Sequence, residues 1–226
     1  MLAVHCGTVA YADALRWQHL LARARQEDAV DDVLLTLEHD RVYTAGRHAD
    51  LAAHVLDTRG IPVVEVDRGG DVTYHGPGQL VAYPIVRLRA PRAVRAYVEA
   101  LEEACVRTAA DFGVSALPAG RGRPGDRGAV ARTGVWVDGH KLAAIGVRVD
   151  RGVTTHGLAF NVTTDLADFA GIVPCGIADA GVCSLASLGV DTSVADVRGA
   201  LVGHLGHTLE RPVQDARPVD LGLVAA

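Results

Sequence analysis

The stretch Arg68–Pro84, RGGDVTYHGPGQLVAYP, constrains the fold more than any other part of the chain because it concentrates residues with special backbone geometry. Its glycines let the main chain approach a ligand closely, and its prolines stiffen the path between them. Two apolar groups flank the loop and predict two buried strands with the loop at their ends: Val63, Val64 and Val66 before it, and Leu80, Val81, Tyr83, Ile85 and Val86 at its far end. An ordinary turn between strands has little use for the polar groups that converge here, so we interpret the loop as the wall of a binding cleft. These groups are Arg68, Thr73, Tyr74, His75 and Gln79.

The overall composition predicts one globular domain that spans residues 1–226. The 226 residues are 49% hydrophobic and 22% charged, enough to bury a single core. A net charge of -5 and an aromatic content of 4% argue against nucleic-acid binding. We therefore expect a small-molecule or protein substrate.

Neither targeting nor metal chemistry has a sequence signal. The first residues lack a basic segment followed by an apolar run, and no apolar stretch is long enough to cross a bilayer. The four cysteines show no CxxC spacing, and the ten histidines show no paired-ligand spacing. We expect a cytoplasmic protein with free thiols, no membrane contact, no metal and no cofactor.

Hydrophobic periodicity predicts an α+β fold over a central mixed or antiparallel sheet flanked by helices. Three long helices are predicted, and a hairpin turns at Asp138-Gly139. A Gly-, Pro- and Arg-rich loop at about 118–128 and a tail after about 209 carry no clear pattern. The predicted helices cover 11–27, 91–112 and 193–209, with short ones at 50–56 and 165–170, and the predicted strands cover 33–37, 134–149 and 153–162.

Two residues stand out as candidates for nucleophilic chemistry. Cys175 lies between a proline and a glycine, outside any amphipathic pattern, although a free cysteine is most often a small buried hydrophobe. A nucleophilic thiol needs a base or a cation nearby. Lys141 is the natural supplier because strand alternation puts it on the apolar side with Ile145 and Val147. The alternative for Lys141 is a side chain that extends along the apolar surface to reach water.

Other motifs leave alternatives open. His75 either takes part in proton transfer at a substrate carbonyl or hydrogen-bonds its own loop. The glycines at 69, 70, 76 and 78 match neither a P-loop nor the GxGxxG fingerprint, so nucleotide binding lacks a motif. The arginines at 121, 123, 127 and 132 form either a solvated loop, which the composition favours, or a patch that steers an acidic partner.

Four blocks of the sequence, taken in order, resemble the octanoyltransferases of lipoate synthesis, also called lipoyl(octanoyl) transferases. They are RGGDVTYHGPGQLVAYPI at 68–85, GVWVDGHKLAAIGVRV at 134–149, HGLAFNV at 156–162 and GIVPCGI at 171–177. The resemblance covers most of the chain and implies the fold of biotin and lipoate protein ligases. Phe160 departs from the leucine usual in the third block.

The resemblance also implies an activity and its participants. An octanoyl group would pass from acyl carrier protein to a lysine on the lipoyl domains of 2-oxoacid dehydrogenases or on the glycine cleavage H protein. Cys175 would carry the group as a thioester, and Lys141 would activate it. The implied acyl pocket consists of Arg68, Gly69, Gly70, Asp71, Val72, Thr73, Tyr74, His75, Ala144, Ile145, Gly146, Gly157, Leu158 and Ala159.

Several details of this hypothesis follow from the residue types. Backbone amides near Gly76–Gly78 or at Gly176 are candidates to stabilise an oxyanion. Val72, Tyr74, Ile145 and Leu158 are suited to an apolar slot for the octyl chain. We expect a monomer. The alternatives are an ATP-dependent lipoate or biotin ligase, which has no need for Cys175, and a protein that binds acylated carriers without turning them over.

Overall fold

The computed structural model describes residues 1–90, 93–119, 133–176 and 180–223, without the side chain of Cys175. Within these ranges the chain forms an α+β domain with two sheets. The elements of the first half are β1 (Leu2–Val9), α1 (Tyr11–Gln26), β2 (Val33–His39), β3 (Val42–Ala45), α2 (Leu51–His54), β4 (Val63–Glu65), β5 (Val72–His75) and β6 (Gln79–Ile85). Those of the second half are α3 (Val94–Asp111), β7 (Leu117–Pro118), β8 (Gly134–Val137), β9 (His140–Asp150), β10 (Val153–Asn161), β11 (Gly181–Val182), α4 (Val194–Thr208) and β12 (Gln214–Ala216).

The larger sheet is mixed, as predicted. Its strand order is β12-β1-β2-β6-β10-β9-β8-β7, and β11 joins it at β9. The β12–β1, β1–β2 and β11–β9 pairs are parallel, whereas β2–β6, β6–β10, β10–β9, β9–β8 and β8–β7 are antiparallel. The smaller sheet has the order β4-β3-β5. The predicted hairpin is confirmed, since β8 and β9 pair across the Asp138-Gly139 turn.

The strands of the larger sheet carry apolar side chains on both of its faces, so helices cover both faces. On one face Leu101 of α3 and Leu201 of α4 pack in a cluster with Leu34 and Phe160. On the other face Trp17 and Leu21 of α1 pack against the neighbouring sheet residues Leu35, Val81 and Ala159. The three long helices that periodicity predicts are confirmed, apart from residues 91 and 92, which lie outside the described ranges.

Residues 210–223, which belong to the predicted tail, pack as part of the domain. Its strand β12 pairs with β1, and Leu221 and Leu223 pack into the cluster beneath α1. The predicted loop at 118–128 begins differently from the expectation, because Pro118 pairs with Val135 as part of β7. Residues 120–132, with the four arginines at 121, 123, 127 and 132, lie outside the described ranges.

The motif Arg68–Pro84 is not the simple loop between two strands that the sequence predicts. It contains the whole of β5 and most of β6, and β5 pairs with β3 in the smaller sheet while β6 lies in the larger one. Glycine density concealed β5, since glycine is unfavourable inside strands and typical of turns. The motif therefore connects the two sheets.

Candidate active site

A cavity of about 360 Å³ opens between the two sheets. It is bounded by the segment that leads into β5, by the middle of β9 and by the middle of β10. The lining residues are Tyr11, His48, Arg68, Gly69, Gly70, Asp71, Thr73, His75, Tyr83, Thr133, Lys141, Ala144, Ile145, Gly146, His156, Gly157, Leu158 and Ala159. Three separate blocks of the sequence, at 68–75, 141–146 and 157–159, thus contribute to one cavity.

Val72 and Tyr74, which we expected to line the pocket and the octyl slot, lie outside this cavity. Successive side chains of a strand point to opposite faces, so Thr73 and His75 face the cavity while Val72 and Tyr74 point away. Tyr74 donates a hydrogen bond to Asp168 Oδ2 at 2.6 Å and packs edge-on against Phe169. Tyr74 and Phe169 belong to the hydrophobic core beside the smaller sheet.

A chain of hydrogen bonds fixes the polar wall of the cavity. Arg68 donates from Nη2 to the carbonyl of Thr44 at 2.7 Å and to its Oγ1 at 2.8 Å. Gln79 donates to Asn161 Oδ1 at 2.9 Å, so its Oε1 accepts from His75 Nδ1 at 2.8 Å. Nε2 of His75 is then the acceptor, 3.3 Å from Thr44 Oγ1.

His75 is accordingly a neutral ring with both nitrogens engaged. Burial holds its pKa well below the usual 6.5, and the nearby His39 and Arg68 lower it further. Of the two alternatives for this residue, these contacts favour hydrogen bonding within the motif over proton transfer.

Lys141 reaches the cavity from β9, and only 5% of its surface is exposed. Trp136 lies opposite it on β8, and Lys141 Nζ is 4.8 Å from the centroid of the indole ring. An aromatic face attracts an ammonium group through its quadrupole. The lysine that the sequence puts on the apolar side of a strand is therefore held at the cavity wall by an aromatic neighbour.

The Cys175 segment packs against the same cavity wall. Residues Pro174–Gly176 form a 3₁₀ turn, and Val173 N–H donates to the His54 carbonyl at 2.8 Å. Gly176 has a φ of +67°, and a Cβ at this position would lie 2.7 Å from Asp71 Oδ2 and 3.0 Å from His54 Cε1. The backbone next to Cys175 is thus in direct contact with Asp71, which lines the cavity.

Two amides that we considered as oxyanion donors are already engaged. Gly78 N–H donates to Glu38 Oε2 at 2.7 Å, and Gly176 N–H donates to the Val173 carbonyl at 3.1 Å. An amide already bound in this way is not available to an oxyanion unless the local structure rearranges. The prediction for these two positions is therefore wrong for this conformation.

Sequence reasoning missed five lining residues: Tyr11, His48, Tyr83, Thr133 and His156. Tyr83 falls inside the motif and His156 directly precedes Gly157, so proximity to predicted residues was the available signal. Tyr11 opens α1, and nothing in the sequence links it to a site some sixty residues away along the chain. Its burial raises its pKa to about 12.

Tyr83 is oriented by a buried histidine. His39 Nδ1 lies 2.8 Å from the Val9 carbonyl, which can only accept, so Nδ1 carries the proton. Nε2 of His39 then accepts the Tyr83 hydroxyl at 2.8 Å. Burial lowers the pKa of His39 to about 4, and the ring stays neutral.

Within the described ranges, no cluster of three or more His, Cys, Asp or Glu side chains has the arrangement of a metal site. None of the helices described there combines the length and the apolar character needed to span a membrane.

Comparison with known proteins agrees with this fold and this arrangement of motifs. The chain belongs to the family of lipoyl protein ligase A/B catalytic domains, whose model matches residues 10–206. Two curated relatives of the chain are named octanoyltransferase. That of Thermobifida fusca is 45% identical over 89% of this chain and 85% of its own length. That of Mycobacterium tuberculosis is 47% identical over 94% of this chain and 89% of its own length.

Solved structures of the family share the fold. A lipoate-protein ligase A bound with ATP superposes with a TM-score of 0.75 at 19% identity, covering 96% of this chain and 89% of its own. The archaeal bipartite lipoate protein ligase of Thermoplasma acidophilum gives a TM-score of 0.72 at 19% identity, with 96% and 86% coverage. At this identity the likeness concerns the fold alone.

Proposed function

We propose that this octanoyltransferase moves an octanoyl group from octanoyl-acyl carrier protein to a lysine of lipoyl domains through a thioester on Cys175, with Lys141 as the acid–base partner. One observation carries the proposal. Lys141 and Asp71 line the same cavity, and Asp71 contacts the backbone of Gly176, the residue after Cys175. The turn that bears the thiol contacts a residue of the cavity that the buried Lys141 lines, which supports pairing the two groups.

The first half-reaction exchanges one thioester for another. Lys141 takes the proton of the Cys175 thiol, and the thiolate attacks the acyl carbonyl. The carbon–sulfur bond to the carrier breaks, and the leaving thiolate receives the proton from Lys141. Because a thioester is made and a thioester is lost, this step is nearly balanced in free energy and needs no ATP.

The second half-reaction forms the product amide. The amine of the acceptor lysine attacks the acyl group on Cys175, a carbon–nitrogen bond forms, and the bond to sulfur breaks. The Cys175 thiolate receives the proton that the nitrogen loses, through Lys141 or water. An amide is more stable than a thioester, so this step drives the transfer forward.

The cavity offers an apolar slot for the acyl chain. Ala144, Ile145, Leu158 and Ala159 line it, and each CH₂ group that leaves water contributes about 0.8 kcal/mol to binding. Other parts of the cavity wall carry polar groups for the thioester end, among them Thr73 and His75.

The test is transfer of octanoate from purified octanoyl-acyl carrier protein to a lipoyl domain, with and without ATP. The wild-type enzyme should form the amide without ATP, and Cys175→Ser should form none. Cys6→Ser is the matched control, since Cys6 lies in β1 away from the cavity lining. Strict dependence on ATP, with free octanoate as donor, would instead identify an ATP-dependent ligase. Retained carrier binding with no turnover by the wild type would identify a binding protein.

A further inference from the structure

His156 has a backbone conformation that side chains normally avoid. Its φ is +58°, in the middle of β10 and opposite Val147 of β9. A positive φ is uncommon for residues other than glycine, although asparagine, aspartate and histidine adopt it more often than most. His156 also lines the cavity, and only 1% of its surface is exposed. An unusual conformation at a cavity wall calls for a reason in the surrounding contacts.

Two contacts hold His156 in place. Its backbone N–H donates to Oε1 of the fully buried Gln18 at 2.6 Å. Its ring Nε2 lies 2.7 Å from Asp67 Oδ1, and because a carboxylate only accepts, Nε2 carries the proton. Burial, aided by the nearby Arg68, His19 and Arg148, lowers the pKa of His156 to about 3, so the ring is neutral.

Asp67 connects His156 to the rest of this wall. Its other carboxylate oxygen pairs with Arg148 Nη1 of β9 and lies 3.9 Å from His19 Nε2 of α1. The carboxylate therefore binds β9 and β10 at once, next to α1. Asp67 directly precedes Arg68 in the sequence.

The segment that Asp67 anchors forms one side of the cavity. Arg68, Gly69 and Gly70 line it, and Gly69 N–H donates to the Val147 carbonyl at 3.0 Å. The adjoining lining comes from β9 at 144–146, where Gly146 packs against Arg68 and Gly69, and from β10 at 157–159, directly after His156. The width of the cavity beside this contact depends on how residues 67–70 are held against the two strands.

We propose that His156 and Asp67 form a positioning pair that holds the segment 67–70 against β9 and β10 and so determines which acyl chain lengths the cavity accepts. The inference rests on the proposed function and extends it to substrate selectivity. His156 acts through Asp67 and the segment it anchors. In its left-handed conformation His156 directs its imidazole to Asp67. The residues that follow it in β10, at 157–159, line the cavity.

Two variants separate this role from a general loss of stability. His156→Gly removes the imidazole, and glycine adopts a φ of +58° without strain. The relief of backbone strain therefore offsets stability that is lost with the side-chain contact. Asp67→Asn keeps the size of the anchor but loses its charge. The matched control is His204→Asn, which breaks a His–Asp contact of the same 2.7 Å length between α4 and α3, away from the cavity lining.

The measurement is kcat and KM for S-hexanoyl-, S-octanoyl- and S-decanoyl-pantetheine, together with the rate of Cys175 alkylation by iodoacetamide. In both variants KM for the octanoyl thioester should rise about tenfold, as expected for losing a hydrogen bond to a charged group, and the preference for one chain length should flatten. Alkylation of Cys175 should stay at the wild-type rate, because the nucleophile is untouched.

Three outcomes overturn the inference: a chain-length profile unchanged in both variants, the same change in His204→Asn, or a matching loss of Cys175 alkylation, which would indicate a collapsed site. If His156→Gly fails to fold, Asp67→Asn decides alone. Failure of the proposed function itself looks different, because the wild-type enzyme would then form no acyl-enzyme with any of the three thioesters.

Discussion

Lys141 Nζ lies 4.8 Å from the centre of the Trp136 ring, across the β8–β9 pair. Trp136 carries no acid–base group, but this contact joins it to Lys141, the proposed acid–base residue. An indole face stabilises the ammonium form and holds the lysine in one orientation, and such contacts are worth about 0.5–2 kcal/mol. The first prediction tests whether catalysis uses the contact.

Replacement of Trp136 by leucine removes the aromatic face but keeps an apolar side chain. We expect kcat for acylation of Cys175 to fall by about twofold to thirtyfold, the rate equivalent of that contact, with KM little changed. Trp136→Phe keeps an aromatic face and should lose less. Stopped-flow acylation with S-octanoyl-pantetheine measures both, and equal rates for the leucine and phenylalanine variants would contradict a role for the ring face.

Gly176→Ala should damage the site far more than it damages the fold. The new Cβ would lie 2.7 Å from Asp71 Oδ2, so the turn that bears Cys175 must shift away from the cavity wall. Gly189→Ala is the matched control, since Gly189 has a similarly positive φ of +84° and no atom within 4 Å of the added Cβ. Both variants should lose roughly 1–2 kcal/mol of stability from the left-handed backbone. Only Gly176→Ala should lose octanoyl transfer, and full activity in that variant would contradict the packing argument.

Thiol labelling at neutral pH should single out Cys175. Burial raises the pKa of Cys6 to about 11 and that of Cys183 to about 12, and it raises the pKa of Cys105 still further. Thiols with such pKa values hold almost no thiolate at pH 7.5 and react slowly. Iodoacetamide labelling followed by peptide mapping should therefore modify Cys175 first. Faster labelling of Cys183 would count against the assignment of the nucleophile.

Stability should fall as the pH is lowered below about 6.5. Burial lowers the pKa of His39 to about 4 and that of His156 to about 3, so below pH 6.5 the unfolded chain binds protons that the folded chain refuses. Each of these histidines then costs about 1.4 kcal/mol per pH unit until its folded pKa is reached. Carboxylates with lowered pKa values, such as Asp168, act in a separate window below their usual 3.8.

Urea denaturation at pH 6.5 and pH 5 measures this effect. His39→Gln should lose about 2 kcal/mol less than the wild type over that interval, because one of the buried neutral rings, which also include His75 and His156, is gone. A pH dependence that His39→Gln leaves unchanged would contradict the neutral, buried state of His39.

The sequence carried most of the architecture because the long elements have strong periodicity. The helix beginning at Tyr11, the α3 stripe through Leu101 and the hairpin at Asp138-Gly139 all follow from local patterns. The strand β5 does not follow from a local pattern, since the glycines on both sides of it are typical of turns. Its pairing with β3 is a tertiary contact. The alternation that turns Tyr74 away from the cavity follows once β5 is known to be a strand.

The candidate site likewise combines residues that sequence motifs predict with contacts that they do not predict. Motifs and the family resemblance drew attention to Arg68, Lys141 and Cys175, each within a block of special residues. The contacts between blocks, such as Gly176 against Asp71, join positions about a hundred residues apart and have no local signature. The contact of the His156 ring with Asp67 likewise joins positions far apart in the sequence and has no local signature.

The most direct test of the whole account is to trap the acyl-enzyme. The enzyme is mixed with octanoyl-acyl carrier protein in the absence of acceptor and ATP, quenched in acid, and examined by intact mass and peptide mapping. We predict one octanoyl group per chain, on Cys175, which disappears when a lipoyl domain is added and reappears there as an amide. An unmodified Cys175 together with transfer that requires ATP would contradict the account.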